Sequence, residues 1–316
     1  MDIRLRLYFC ILFLILTLLA GCTVFSQPLS AEPRRTVLEV EHDLTVDRSA
    51  IKDPGNKSTI KVLSLNMAHG RKDSFTQFFV SEAEIRRNLV DIAEFLKREG
   101  ADIVTLQEAD APSRWSGNFN HVEFLARAAG YPWYTQATHV ENWFGHYGTA
   151  VLSRLPISRG YGYDFKPTPP TTQKGFTLAE IEWKPGTGDQ KKMIIDVISV
   201  HLDFSRRSKR IEQIEVMKKV LGGRTNPAIV LGDFNSGWIE GEQELQALAS
   251  KRNLRAHLPK ANYLYTYFDD RLDWILVSEE FKFCNYYTAP DILSDHLAVV
   301  SELVPLNEGL ALAKCS

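Results

Sequence analysis

Cysteine is scarce in this chain: there are four in 316 residues, with no CxxC pair and no Cys/His spacing of a zinc site. That excludes a small disulfide scaffold and a zinc-ribbon type of domain. An excess of one charge is also lacking. Lysine and arginine total 37 against 39 acidic residues, a formal net charge of -2, so there is no overall electrostatic footprint for nucleic acid or for an anionic membrane surface. No internal repeat is visible, and no apolar run reaches the roughly 20 residues of a comfortable membrane span. What is present is a composition 44% hydrophobic and 11% aromatic, enough for a full core and one large domain.

The N-terminus reads as an export signal. Arg4 and Arg6 precede the uncharged stretch Leu7–Leu19, followed by Ala20, Gly21 and Cys22, the charged, apolar and small-residue order of a secretory leader. The tail "LLAGC" resembles a bacterial lipobox, so residues 1–21 are expected to be a lipoprotein signal and Cys22 the lipidated residue. Thr23, in place of Asp, favours the outer membrane if the source is Gram-negative. The expected product is an exported lipoprotein whose lipid anchor reaches the membrane. Residues 22–58, rich in charge, Pro, Ser and Thr, read as a tether, although "RTVLEVEHD" could add a strand. The ordered domain is expected over 59–305, with a tail at 306–316. A disulfide between Cys284 and Cys315 suits an oxidising compartment, and two free thiols fit nearly as well.

Within the domain, helices and strands are interspersed. Ser81 with Glu84 forms a capping box, and Ile85, Leu89, Ile92 and Leu96 recur at helical spacing until Gly100. Further helices are expected over about 121–129, 207–221 and 243–251, the second of these with Ile211, Ile214, Met217 and Leu221 on its apolar face. Strands are expected at "IKVLSLN", "DIVTLQE", "GTAVLSR", "FTLAEIEW", "KMIIDVISVH", "PAIVLGD", "LDWILVS", "FKFCNYYT" and "LAVVSEL". A long loop is expected after "GTAVLSR". The fold class is α/β, layered, with several strands adjacent without an intervening helix.

Polar residues collect where these apolar runs end: Asn66, Glu108, His201, Asp233 with Asn235, Asp273, and Asp295 with His296. Asp and Asn are common turn formers, yet a scaffold edge is also where functional groups are held against a cleft. The carboxylates and the amide oxygen are hard ligands suited to Mg2+ or Mn2+. Two histidines can exchange protons near neutral pH. Such a set suits hydrolysis of a phosphate ester by activated water.

In order along the chain, "LSLNMAHG", "IVTLQE", "HYGTAVLSR", "SVHLD", "IVLGDFN", "RLDWILVS" and "LSDHLAVV" resemble the motif series of the endonuclease/exonuclease/phosphatase superfamily. Its members include pancreatic deoxyribonuclease, abasic-site endonucleases, neutral sphingomyelinases, inositol polyphosphate phosphatases and deadenylases. The resemblance implies two mixed β-sheets packed face to face and flanked by helices. It implies Glu108 as principal metal ligand with Asn66 and Asp295 beside it, Asp233 aligning the attacking water, and Asn235 at the phosphate. It further implies His296 on the scissile phosphate, oriented by Asp273, and His201 near the leaving group. Thr149 stands where many members carry Asn. His69 and His146 are extra histidines that could bind substrate phosphate.

The expected anchor and balanced charge favour a lipid headgroup or small exported metabolite as substrate. A secreted nuclease is the alternative, with "RRSKR" at Arg206–Arg210 as its phosphate contact. Trp115, Trp143, Phe144 and Trp238 could stack on a base, cover a sugar or touch a bilayer. A membrane-tethered binding protein without catalysis would be expected to lack at least one key group, and none is missing.

Overall fold

The computed structural model describes residues 34–43, 45, 57–186, 192–238, 243–259 and 263–306. The leader, Cys22 and nearly all of the C-terminal tail lie outside the described residues. Two seven-stranded sheets pack face to face. The first contains β1 (Arg34–Leu38), β7 (Ile157–Asp164), β8 (Gly175–Trp183), β9 (Met193–His201), β10 (Ala228–Asp233), β11 (Arg255–Ala256) and β12 (Asp273–Val277), in the order β1-β7-β8-β9-β10-β12-β11. The second contains β2 (Glu41–His42), β3 (Ile60–Asn66), β4 (Ile103–Asp110), β5 (Trp133–Glu141), β6 (His146–Ser153), β13 (Phe281–Thr288) and β14 (Val299–Pro305), in the order β13-β14-β3-β4-β6-β5-β2. Each sheet is mixed: β9 and β10 are parallel in one, β3 and β4 in the other.

Helices α1 (Glu82–Glu99) and α2 (His121–Ala129) cover the outer face of the second sheet, and α3 (Arg207–Gly222) and α4 (Glu244–Lys251) that of the first. Helix α1 has the expected limits: Ser81 and Glu84 cap it reciprocally, and Gly100 closes it in the left-handed region, φ 63°. Helix α3 differs. Its buried face is Arg210, Gln213, Ile214, Met217 and Leu221, while Ile211 is exposed.

Two further expectations change. The presumed tether contributes β1 and β2, which pair with β7 and β5 at opposite sheets' edges. The presumed loop after β6 contains β7, whose alternation is blurred by Gly160 and Gly162. Cys284 on β13 is disulfide-bonded; its partner is outside the described residues.

The period of two along each strand sorts residues between layers. On β3, Leu63 and Leu65 face the helices, whereas Ile60 and Val62 enter the layer between the sheets. On β10, Val230 faces the helices and Ile229 and Leu231 the intersheet layer. The intersheet layer then changes character along its length. Above the apolar residues lies a rung of Ser64, Gln107, Thr149, Thr177 and Ser199, all buried. Gln107 Nε2 donates to Ser199 Oγ across the sheets at 3.0 Å, and Thr149 Oγ1 lies 2.8 Å from Thr177 Oγ1. One step further along the same alternation come Asn66, His201, Asp233 and Asp273.

Candidate active site

Strand register sets three of the site residues side by side. Asp233 at the end of β10 pairs with His201 at the end of β9 and with Asp273 at the start of β12. This close row requires Gly232, which has φ 148° and whose added Cβ would lie 2.0 Å from the Val200 carbonyl oxygen. Asn66 arrives from the opposite sheet, and its Nδ2 donates to Asp233 Oδ2 at 3.0 Å. Asn235 takes a left-handed conformation, φ 49°, that returns its N–H to Asp233 Oδ1 at 2.9 Å and its side-chain amide to the Leu202 carbonyl at 3.1 Å.

Glu108 would face the helices if β4 continued its alternation. A bulge between Gln107 and Ala109, with Glu108 at φ 48°, re-aims it. Ala68, His69, Glu108 and Asn235 are all non-glycine residues at positive φ. Each costs about 1–3 kcal/mol, and their concentration here is typical of a functional edge.

Around Asp233 Oδ2 stand His201 Nε2 at 3.3 Å and His296 Nε2 at 3.9 Å. His296 Nδ1 donates to Asp273 Oδ2 at 2.7 Å, and Tyr267 packs against the ring. Burial opposes charge on His296, but Asp273, Asp233 and Asp295 overcome it and hold the imidazolium up to about 10. His201 goes the other way: burial, then Lys174, keeps it neutral well below its ordinary range. Lys174 Nζ lies 3.3 Å from His201 Nδ1, so the neutral ring accepts there and presents its Nε2 proton to Asp233. Burial raises Asp233 itself, Asp273 adds to it, and the His296 charge only partly offsets them.

Glu108 is ringed by positive charge. His69 Nε2 is 3.3 Å from its Oε2 and Lys174 Nζ 3.8 Å from its Oε1. Burial favours the neutral acid, but the charges of His69 and Lys174, with His296 beyond them, override it and keep the carboxylate ionised far below its usual range. Asp295 pairs with Arg71. Glu108 and Asp295 are hard oxygen donors of the kind a divalent cation takes, each balanced by a positive side chain, and Asn66 Oδ1 accepts from the Ala68 N–H at 3.1 Å. A second acidic group, Asp233, Asp273 and His296, has its ligand atoms within 4.8 Å of one another. Its imidazole is occupied by Asp273 and charged, which suits proton and phosphate handling better than metal ligation.

Not every candidate lies in the cluster. His146 is exposed at the start of β6, and its backbone N–H is bound by Ser113 Oγ. Thr149, the departure from the family pattern, is one layer below, linked to His139 Nε2 at 2.9 Å. His69 is in the cluster, but it faces Glu108 and Asp110 rather than open space. Lys174, Arg71 and Asp110 were not apparent from the sequence. Lys174 did carry one signal, standing before the apolar run of β8 whose first residue, Gly175, pairs with His201.

A sandwich of two mixed sheets whose facing edges gather carboxylate, amide and imidazole groups defines a hydrolase of phosphate esters. The chain belongs to the family described as Endonuclease/Exonuclease/phosphatase, which matches residues 63–296. Its members are phosphoester hydrolases, generally dependent on a divalent metal. The chain is 28% identical over 219 residues to YbhP, an uncharacterised protein of Escherichia coli, covering 65% of this chain and 79% of that one. Solved structures with the same fold include a Bacteroides thetaiotaomicron mannosyl-6-phosphatase, 19% identical, TM-score 0.56, covering 78% of this chain and 99% of that one. Sphingomyelinase C from Streptomyces griseocarneus is 17% identical, TM-score 0.53, covering 77% and 99%.

Proposed function

We propose that the protein is a divalent-metal-dependent phosphodiesterase acting on a lipid headgroup or small exported metabolite, tethered to a membrane through Cys22. One observation carries the catalytic part: Asn66 and, from the loop before β14, His296 on the side of one sheet, and His201 and Asp273 of the other, all gather at the single carboxylate of Asp233. Glu108, Asn66 and Asp295 would hold Mg2+ or Mn2+, which when bound neutralises charge on the phosphoryl oxygens. Asp233, raised toward neutrality by burial, accepts a proton from the attacking water. Asn235, held by one Nδ2–H on the Leu202 carbonyl, offers its second Nδ2–H to the phosphate. The His296 imidazolium, fixed by Asp273, binds a phosphoryl oxygen, and His201 with Lys174 stands at the leaving-group side.

Exposed aromatics offer surface to an apolar or amphipathic substrate. Phe75, Trp143, Phe204 and Phe268 are solvent-facing. Phe204 follows His201 in the chain, and Phe268 packs against the Tyr267 that covers His296. By contrast, the basic run expected to contact nucleic acid is paired within the fold: Arg207 with Glu244 at 2.8 Å, Lys209 with Glu212 at 2.9 Å, and Arg206 on the Thr168 carbonyl. Arg210 is buried.

The test is a panel of phospholipids, inositol phosphates, nucleotides, DNA and RNA, assayed with Mg2+ or Mn2+. Metal-dependent cleavage, lost in Asp233→Asn and weakly dependent on salt, is expected for a headgroup or small-metabolite ester. Steep salt dependence with DNA or RNA would favour a nuclease. Inactivity of the wild type on every ester would leave a binding protein.

A further inference from the structure

We propose that His69 is a nitrogen ligand to the cation held by Glu108, making the centre a mixed nitrogen and oxygen site better suited to Mn2+ than to Mg2+. The inference rests on the metal-dependent reading above and adds a residue outside the expected ligand set.

The first support is direction. The ring is buried, and its two nitrogens face two different carboxylates: Nδ1 lies 2.8 Å from Asp110 Oδ1 and Nε2 3.3 Å from Glu108 Oε2. Two donors at neighbouring positions on one cation, each about 2.1–2.2 Å from it, are roughly 3 Å apart. Glu108 and His69 already have close to that spacing, and the cation takes the place of the Nε2 proton that pairs the ring with Glu108 in its absence. A histidine meant for substrate phosphate would aim a nitrogen into open space; this one aims it at Glu108.

The second support is how firmly the ring is held. Asp110 is fully buried, and its other oxygen accepts from Trp115 Nε1 at 3.1 Å. Trp115 and Tyr147 pack on the His69 ring at centroid distances of 4.7 and 4.6 Å. The backbone adopts φ 56° at His69 to deliver it. A carboxylate that fixes one imidazole nitrogen while the other points to a ligand site is the recurring support of metal-bound histidine. Mn2+ also favours oxygen ligands, but it accepts an imidazole nitrogen among them more readily than Mg2+, which dehydrates reluctantly and retains water.

The test uses the full chain, stripped of metal and loaded with Mn2+ alone. Pulsed electron paramagnetic resonance is expected to show nitrogen coupling to Mn2+ in the wild type and none in His69→Gln. Mn2+ affinity is expected to fall about 10- to 100-fold in His69→Gln, and by a similar factor in Asp110→Asn, which leaves the imidazole in place. Circular dichroism establishes that each variant folds. If His69→Gln does not fold, the wild-type spectrum and Asp110→Asn decide. Bound Mn2+ without nitrogen coupling, coupling that persists in His69→Gln, or unchanged affinity in Asp110→Asn overturns the assignment of His69 while leaving the proposed function standing. Failure of the wild type to bind Mn2+ overturns both.

Discussion

Asp273→Asn should uncouple His296 from its charge without moving it. Asp273 is buried, Asn matches its shape, and an amide oxygen can still accept from Nδ1. Asp273 raises His296 both by its charge and by its hydrogen bond, with Asp233 and Asp295 adding to it. The whole elevation, from 6.5 to about 10, corresponds to roughly 5 kcal/mol, and loss of Asp273 removes its leading contributor, at about 1.4 kcal/mol for each pH unit by which the midpoint falls. The sign follows directly. The imidazolium persists below its folded-state value, so the wild type stays charged until near pH 10 and the variant loses its charge at lower pH. The charged fraction therefore falls first on the alkaline side, and the variant's loss relative to wild type is larger at pH 9 than at pH 7. NMR titration of the His296 ring in metal-free protein measures the midpoint, and the pH dependence of turnover measures its consequence. A midpoint unchanged by the substitution, or a wild-type midpoint near 6.5, would refute the reasoning.

Three further outcomes are expected. Asp233→Asn should melt higher than wild type at pH 8: a carboxyl raised by burial destabilises the folded state as pH climbs from 3.8 toward about 7, and Asn mimics its protonated form. The advantage should shrink by pH 4; a variant melting lower at pH 8 would contradict it. Asp203, held down to about 2 because hydrogen bonds from Thr171, Ser205 and Arg206 outweigh its burial, should contribute about 2 kcal/mol above pH 4. Urea unfolding of Asp203→Asn should show that loss at pH 7 and its disappearance as pH falls toward 2. Gly232→Ala should cost more than about 4 kcal/mol, visible as insoluble or low-melting protein, because backbone at Val200 blocks the methyl group; wild-type stability would mean that β9 and β10 can separate.

The parts of the site that were legible in the sequence share one cause. Asn66, His201 and Asp233 each end an apolar strand, and the period-two alternation then fixes which layer they enter. The helix limits at Ser81 and Gly100 were legible because capping is local. What was missed depends on contacts across the chain. Lys174 is separated by 66 positions from Glu108 and Arg71 by 224 from Asp295, and neither pairing has a local signature. The bulge at Glu108 breaks the alternation that would otherwise have aimed it. Arg210 takes the inward face of α3 because the Asp203 carbonyl and the start of the helix give its guanidinium somewhere to bond, a place no hydrophobicity pattern announces. The short strands β1 and β2 acquire structure only from the edges they pair with.

Diffraction at the manganese absorption edge, from crystals grown with Mn2+ and inorganic phosphate, puts the shared centre to the most direct trial. One manganese peak bonded to Glu108, with phosphate held by Asn235, His201 and His296, is the expected map. Manganese lodged instead among Asp233, Asp273 and His296, or absent while Glu108 stays on His69 and Lys174, would contradict the account.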